Sequence, residues 1–412
     1  MNEARAGTAA DSRRMFAVAW VFLLASVVLG VLLRWQAVQP WAWFDYPNWL
    51  HAHSHAAFLG WVFNAFFALA VREWAQGAQR RFYWTLFAVL QVANLGMLAG
   101  FPVQGYGAAT IAFSTLHMAG GAVFGVFLWR SRAVPPSARA CLRLAVVCML
   151  VSGIGPLALG PMAALGLRDS ALYPLSVYWY LHFQYNGWFI LFPAAVILAR
   201  AADRGDRSES PTVALVLLGT GIFLTFLVSA LWLDPPGWVR GLALAGALSQ
   251  LAGGVLFLAA VVPVWSGRTA TGGRLEVRLL WVAFSAFFAK AVFQALACLP
   301  ALSAVVDHRF TAITFLHWVF LLVVLPALVA AALSYGWIRD GTRTRLGLAL
   351  AAAGIILTKA GLLYPVLAPA VGAPPLPAVS QILLAAAGMQ LAGLVFVAIR
   401  CAAQRVEPRQ GV

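Results

Sequence analysis

The chain has 412 residues, of which 62% are hydrophobic and only 10% charged. Soluble globular chains carry roughly 25% charged residues, so the composition excludes a soluble protein and places the chain in a bilayer. The formal net charge of +15 invites a nucleic-acid reading, but the arginines recur loop by loop along the chain, which excludes it.

Arg5, Arg13 and Arg14 precede the first apolar run. That run is too long for a signal h-region and has no persuasive cleavage site, so a retained helix is expected. Runs of spanning length, roughly 17–25 residues, follow in order. Twelve transmembrane helices are predicted at about 15–34, 50–72, 82–101, 107–129, 139–166, 172–199, 212–233, 238–265, 277–298, 309–337, 345–366 and 377–400. Helix 2 opens on His51-Ala-His53-Ser-His55 and continues to Gly60-Trp61. Arg72, Arg80 and Arg81 separate helices 2 and 3. His117 lies within helix 4, and Arg130, Arg132 and Arg139 follow it. Helix 6 carries His182-Phe-Gln-Tyr185-Asn-Gly187-Trp188 and is followed by Arg200, Arg204 and Arg207. Arg268, Arg274 and Arg278 lead into helix 9, which contains Lys290. His308 and His317 belong to helix 10. Arg339, Arg343 and Arg345 precede helix 11 with Lys359, and Arg400, Arg405 and Arg409 end the chain.

The alternate loops hold little beyond Asp45, Arg168, Asp169, Asp234, Arg240, Asp307 and Arg309. This is the positive-inside pattern, and it predicts a multi-pass protein of a bacterial-type inner membrane with both termini cytoplasmic. The longest cytoplasmic connectors, about 201–211 and 266–276, are short and polar, so no soluble domain fits. Cys141, Cys148, Cys298 and Cys401 are scattered and expected to be reduced or inert. No CxxCH stretch is present, so covalent c-type haem is not expected.

On this topology His55, His117, His182 and His317 lie six to ten residues below the outer helix ends, a depth of roughly 9–15 Å. His55, His182 and His317 recur at intervals of 127 and 135 residues, close to a third of the chain. The expected architecture is therefore all-α, one transmembrane domain over residues 1–412 with a threefold pseudo-repeat of four helices, about 15–130, 139–265 and 277–400. Gly60 and Gly187 share the repeat frame and would admit a second helix or a flat ligand to the backbone. His51 and His55 share one helix face, whereas His53 points about 200° away. His55 is the repeat member and the first candidate ligand, with His51 beside it; His53 and His308 read as ordinary interfacial polar residues. Tyr185 lies one turn after His182 on the same face. Lys290 and Lys359 are the only lysines. Both sit at the histidine depth without an acidic partner in any helix core, which suits them to balance an anionic group.

Twelve helices, a repeat of four, and histidines on helices 2, 6 and 10 resemble the haem–copper oxidase subunit I superfamily, over the whole chain in topology. The stretch from His53 to Trp61 also resembles the HxHxxxxGF run of the NnrS family of haem- and copper-containing membrane proteins. The first resemblance implies a low-spin haem held by His55 and His317. It also implies a metal such as copper at His182, with His117 and Tyr185 nearby, and haem propionates that Lys290 and Lys359 could balance. Helix 7 lacks the family's His-His pair, helix 10 has one deep histidine, and no carboxylate marks a proton channel. A complete oxygen-reducing enzyme is therefore not expected. The resemblance implies a b-type haem protein, with or without copper, that transfers electrons from a redox protein or quinol or handles NO or O₂. The alternatives are a twelve-helix secondary transporter, or a non-catalytic assembly or sensor protein on the same scaffold.

Overall fold

The computed structural model describes residues 2–202, 211–266, 274–306 and 308–402. Arg204, Arg207, Arg268, Asp307, Arg405 and Arg409 lie outside the described residues. Twelve helices among those described are long and apolar enough to cross a membrane. They are α1 (Gly7–Val38), α2 (Tyr46–Trp74), α3 (Gly77–Gln104), α4 (Ala108–Arg130), α5 (Pro136–Ala164) and α6 (Leu172–Ala202). The second half comprises α7 (Thr212–Leu233), α8 (Gly237–Val262), α9 (Leu275–Ala297), α10 (Arg309–Ser334), α11 (Thr342–Leu367) and α12 (Val379–Val397). The chain is thus an all-helical, multi-pass membrane protein.

Two starts differ from the apolar runs. The first helix is continuous from Asn2, which brings Asp11 onto it. That carboxylate is satisfied by the Arg80 fork at 2.7 and 3.1 Å and by the Tyr83 hydroxyl at 2.8 Å, so a charge excluded by hydropathy is kept by pairing. Helix α2 begins before its apolar run because Asp45 caps it, accepting from the Asn48 amide at 3.0 Å, and Pro47 suits the first turn.

Helices α2, α6 and α10 form the inner ring. Their most apolar windows are 78, 67 and 61% buried, against 28–44% for the other nine spans. These are the second helices of the three four-helix groups. In each group the third and fourth helices pack as a hairpin, and α12 closes the outer ring against α1. Phe58, Phe189 and Phe320, one from each inner helix, meet with ring centroids 4.6, 5.3 and 5.4 Å apart and plug the axis. At the arginine-bearing end the same helices close again. Tyr335, just after α10, lies with its ring 5.3 Å from the Arg72 guanidinium and 4.4 Å from that of Arg200, and its hydroxyl donates to the Glu73 carboxylate.

All three inner helices widen into π-helical stretches at matching places: Ala56–Phe63 after His55, Phe183–Trp188 after His182, and Val319–Val324 just after His317. In α10 one cause is visible, since Pro326 has no N–H to bond the carbonyl four residues before it. Such wide turns are frequent at functional sites. Gly60 and Gly187 serve helix contact. A Cβ at Gly60 would stand 2.6 Å from Cγ of Phe22 on α1, and one at Gly187 would stand 2.7 Å from Sγ of Cys148 on α5. In place of the flat ligand that the sequence left open, each glycine admits the first helix of its own group.

Candidate functional site

The alternation of His53 and His55 on α2 decides which imidazoles meet. His53 faces α1 and α10. Its Nδ1 lies 2.8 Å from the Ser26 carbonyl oxygen, and since a carbonyl only accepts, Nδ1 carries the proton. One turn on, Gly30 leaves room for the ring: a Cβ there would stand 3.3 Å from His53 Cε1. His317 is held in the same manner, its Nδ1 donating to the Ile313 carbonyl at 2.8 Å. Both rings are thereby fixed in the tautomer whose Nε2 lone pair is free to ligate.

The two rings have centroids 6.2 Å apart and planes inclined by 25°. A transition metal takes imidazole nitrogen at about 2.0 Å, and that nitrogen lies about 1 Å from the ring centroid. Two axial imidazoles of one metal therefore have centroids about 6 Å apart, as these do. Arg34 of α1 is within electrostatic reach of both rings, and Lys359 of α11 is within reach of His317. Lys359 is largely buried, and its Nζ donates to the Thr314 carbonyl at 3.4 Å, one turn from His317. Two cationic side chains thus flank the pair, while Asp11 and Glu73 are engaged at the far end of the bundle.

The other candidates lie elsewhere. His55 turns away from His317: its Nδ1 donates to the His51 carbonyl at 2.9 Å, and its ring packs 4.3 Å from Phe101. His51 packs 4.6 Å from Tyr106. His117 is buried with its ring 4.9 Å from Phe63, and its Nε2 has no partner among the described residues. His308 caps α10, accepting from the Phe310 amide at 3.1 Å. The structure therefore brings together His53 and His317, not the expected His55 and His317.

His182 is saturated by its neighbours. Its Nε2 donates to the Ile222 carbonyl of α7 at 2.7 Å, and its Nδ1 accepts from Asn186 Nδ2 at 3.1 Å. Tyr185 packs on Phe315 at 5.5 Å, with the His182 ring 6.0 Å away. Lys290, fully buried, donates to Gln250 Oε1 at 2.6 Å. Gln250 Nε2 in turn reaches Thr225 Oγ1 at 2.6 Å and the Gly221 carbonyl at 3.2 Å. The next group repeats this knot: Gln390 Nε2 reaches Thr358 Oγ1 at 2.7 Å and the Gly354 carbonyl at 3.2 Å. The sequence signal for both knots was a Gly-x-x-x-Thr run on helices 7 and 11, each followed by a glutamine on the next helix. Among the described residues no three His, Cys, Asp or Glu side chains converge as a metal-holding group.

No family model matches the chain, and no curated protein matches it. A solved structure described as a cryo-EM structure of a heme-copper terminal oxidase dimer is similar, with a TM-score of 0.65 at 12% identity, over 97% of this chain and 86% of that one. At that identity the likeness establishes a shared fold.

Proposed function

We propose that this protein is a haem-binding electron carrier of the membrane, with one b-type haem held between His53 of α2 and His317 of α10. The observation that carries this reading is the imidazole pair itself, with both Nδ1 atoms anchored on backbone carbonyls and ring centroids 6.2 Å apart. The donor set suits haem iron, which takes two neutral imidazoles, and Gly30 leaves room for the His53 ring itself. Bound there, the haem would supply reversible uptake and release of one electron. Ser26 and Ile313 hold the ligand tautomers. Arg34 and Lys359 would face the propionates, while Lys290 of α9, whose Nζ is bonded to Gln250 of α8, would not. With both His53 and His317 as its ligands, the haem would serve electron transfer in preference to binding or activation of NO or O₂.

A copper site at His182 does not fit. Both of its nitrogens are engaged, and α7 offers a backbone carbonyl where a metal site would need a lone-pair nitrogen. His53 and His55 point to different sides of α2, the first to Ser26 of α1 and His317 and the second to Phe101. The arginine-bearing end would face the cytoplasm of a bacterial-type inner membrane, with a quinol or a redox protein supplying electrons.

Purified from haem-replete cells, the protein should show a Soret band and split low-spin α and β bands on reduction. His53→Ala and His317→Ala should each abolish the low-spin spectrum, while His55→Ala should retain it. A colourless preparation, or loss with His55→Ala and retention with His53→Ala, would sink the assignment.

A further inference from the structure

The sequence holds no Asp or Glu between Glu73 and Asp169, yet this stretch places Arg130, Arg132, Arg139 and Arg143 around the short turn from α4 to α5. At the same end four arginines have partners: Arg80 pairs with Asp11, Arg345 pairs with Asp340, and Arg72 and Arg200 clasp Tyr335. Around the turn the contacts are different in kind. Arg139 donates to the Val134 carbonyl at 3.0 Å, and Arg143 stacks 5.0 Å from the Trp129 ring. Arg130 and Arg132 are exposed and have no carboxylate partner among the described residues. The result is a local excess of positive charge that no acid among the described residues pairs with.

These guanidiniums head a groove. Between α3 and α4 a recess of about 690 Å³ is walled by Phe82, Val123, Val126 and Phe127 and ends at Arg130 and Arg132. A second recess of about 460 Å³ shares Arg130, Ser131 and Arg132 with the first, and is completed by Trp129, Arg139 and Arg143. The first has apolar walls with Gln76 and Gln79 among its lining; the second is cationic. Phe82 and Phe127 stand 5.7 Å apart and give the apolar recess an aromatic floor.

We propose that this paired recess is a binding site for an anionic phospholipid, with its acyl chains along α3 and α4 and its phosphate among Arg130, Arg132, Arg139 and Arg143. Guanidinium forks match phosphate oxygens, and basic pockets at this kind of membrane boundary select acidic headgroups. The inference is independent of the haem reading, because the groove lies at the opposite end of the bundle from His53 and His317.

The test is native mass spectrometry of the full-length protein titrated with phosphatidylglycerol or phosphatidylcholine, together with analysis of lipid retained on purification. Wild type should prefer phosphatidylglycerol. The double variant Arg130→Gln/Arg132→Gln should bind it about twenty-fivefold more weakly, the product of roughly fivefold for each basic residue at an anionic surface. Val126→Trp, which fills the groove and keeps every charge, should also weaken binding, while Arg81→Gln at the same end should change it less than twofold. Equal binding of the two lipids by wild type, or unchanged phosphatidylglycerol binding in the double variant, overturns the proposal. A loss confined to the arginine variant, with Val126→Trp unaffected, would show an anion site without acyl chains and overturn the lipid assignment as well.

Discussion

Lys290 is a lysine with no access to solvent, and the structure makes an unusual forecast for its removal. Its recorded hydrogen bond, 2.6 Å to Gln250 Oε1, is to a neutral acceptor. A hydrogen bond involving a charged group contributes about 1.5–3 kcal/mol, whereas taking an ammonium out of water costs several kcal/mol. The second quantity is the larger, so Lys290→Met, which keeps most of the volume, should be neutral or stabilising by about 1–4 kcal/mol. Gln250→Leu should act in the opposite direction. It removes the acceptor, leaves the buried ammonium uncompensated, and should destabilise by about 3–5 kcal/mol. The double variant should return close to Lys290→Met alone, because Gln250 matters chiefly while the lysine is present. Unfolding of the three variants in detergent, followed by tryptophan fluorescence, measures the cycle. A Lys290→Met variant as unstable as Gln250→Leu would refute the reasoning and assign the ammonium a necessary partner in the second four-helix group. The haem spectrum should be unaltered in Lys290→Met, since Lys290 belongs to a different knot from the His53 and His317 pair.

Two further outcomes follow from the packing. Tyr335→Phe keeps the ring between Arg72 and Arg200 but loses the bond to Glu73, so it should cost about 1.5–3 kcal/mol, and Tyr335→Ala should cost more in the same unfolding assay. Burial, reinforced by the Glu73 charge, raises the Tyr335 hydroxyl above its ordinary value. Its contribution should therefore be complete below about pH 10, the ordinary tyrosine value, and be lost as pH rises further towards the folded value. A decline beginning near pH 7 would contradict this. Gly60→Val should destabilise by about 1–3 kcal/mol through overpacking against Phe22, and Phe22→Ala should relieve it. Failure of that rescue would return Gly60 to a role other than helix contact.

The twelve spans were legible because a bilayer admits few ways to satisfy a backbone, and each apolar run announces itself. The histidine spacing was a sound guide to the inner ring, since α2, α6 and α10 are the most buried helices. Paired charge was less visible. Asp11 sits on a helix that hydropathy starts later, and it is retained there by Arg80 and Tyr83, which are remote in sequence. The Gly-Thr-Gln knots are hidden for a related reason, since their Gly, Thr and Gln carry no charge and converge only when α7 packs on α8 and α11 on α12.

The choice between His53 and His55 shows where reading by repeat reached its limit. An apolar run that opens at about residue 50 puts His53 at the interface, but Asp45 and Pro47 start the helix at Tyr46 and set His53 two turns inside it. The cap and the proline were available as a start signal. His55 is the residue in frame with His182, and their shared habit is what the repeat reports: each has a bond to a backbone carbonyl and a π-helical stretch directly after it. A repeat preserves how a residue is held within its own group. The His53 and His317 pair instead joins the first group to the third, across the seam where α12 closes on α1. Among the described residues no second histidine pair joins two groups in this way, so the internal spacing of the histidines does not report it. Only the direction of His53, half a turn from its neighbour and facing α1, carries that information.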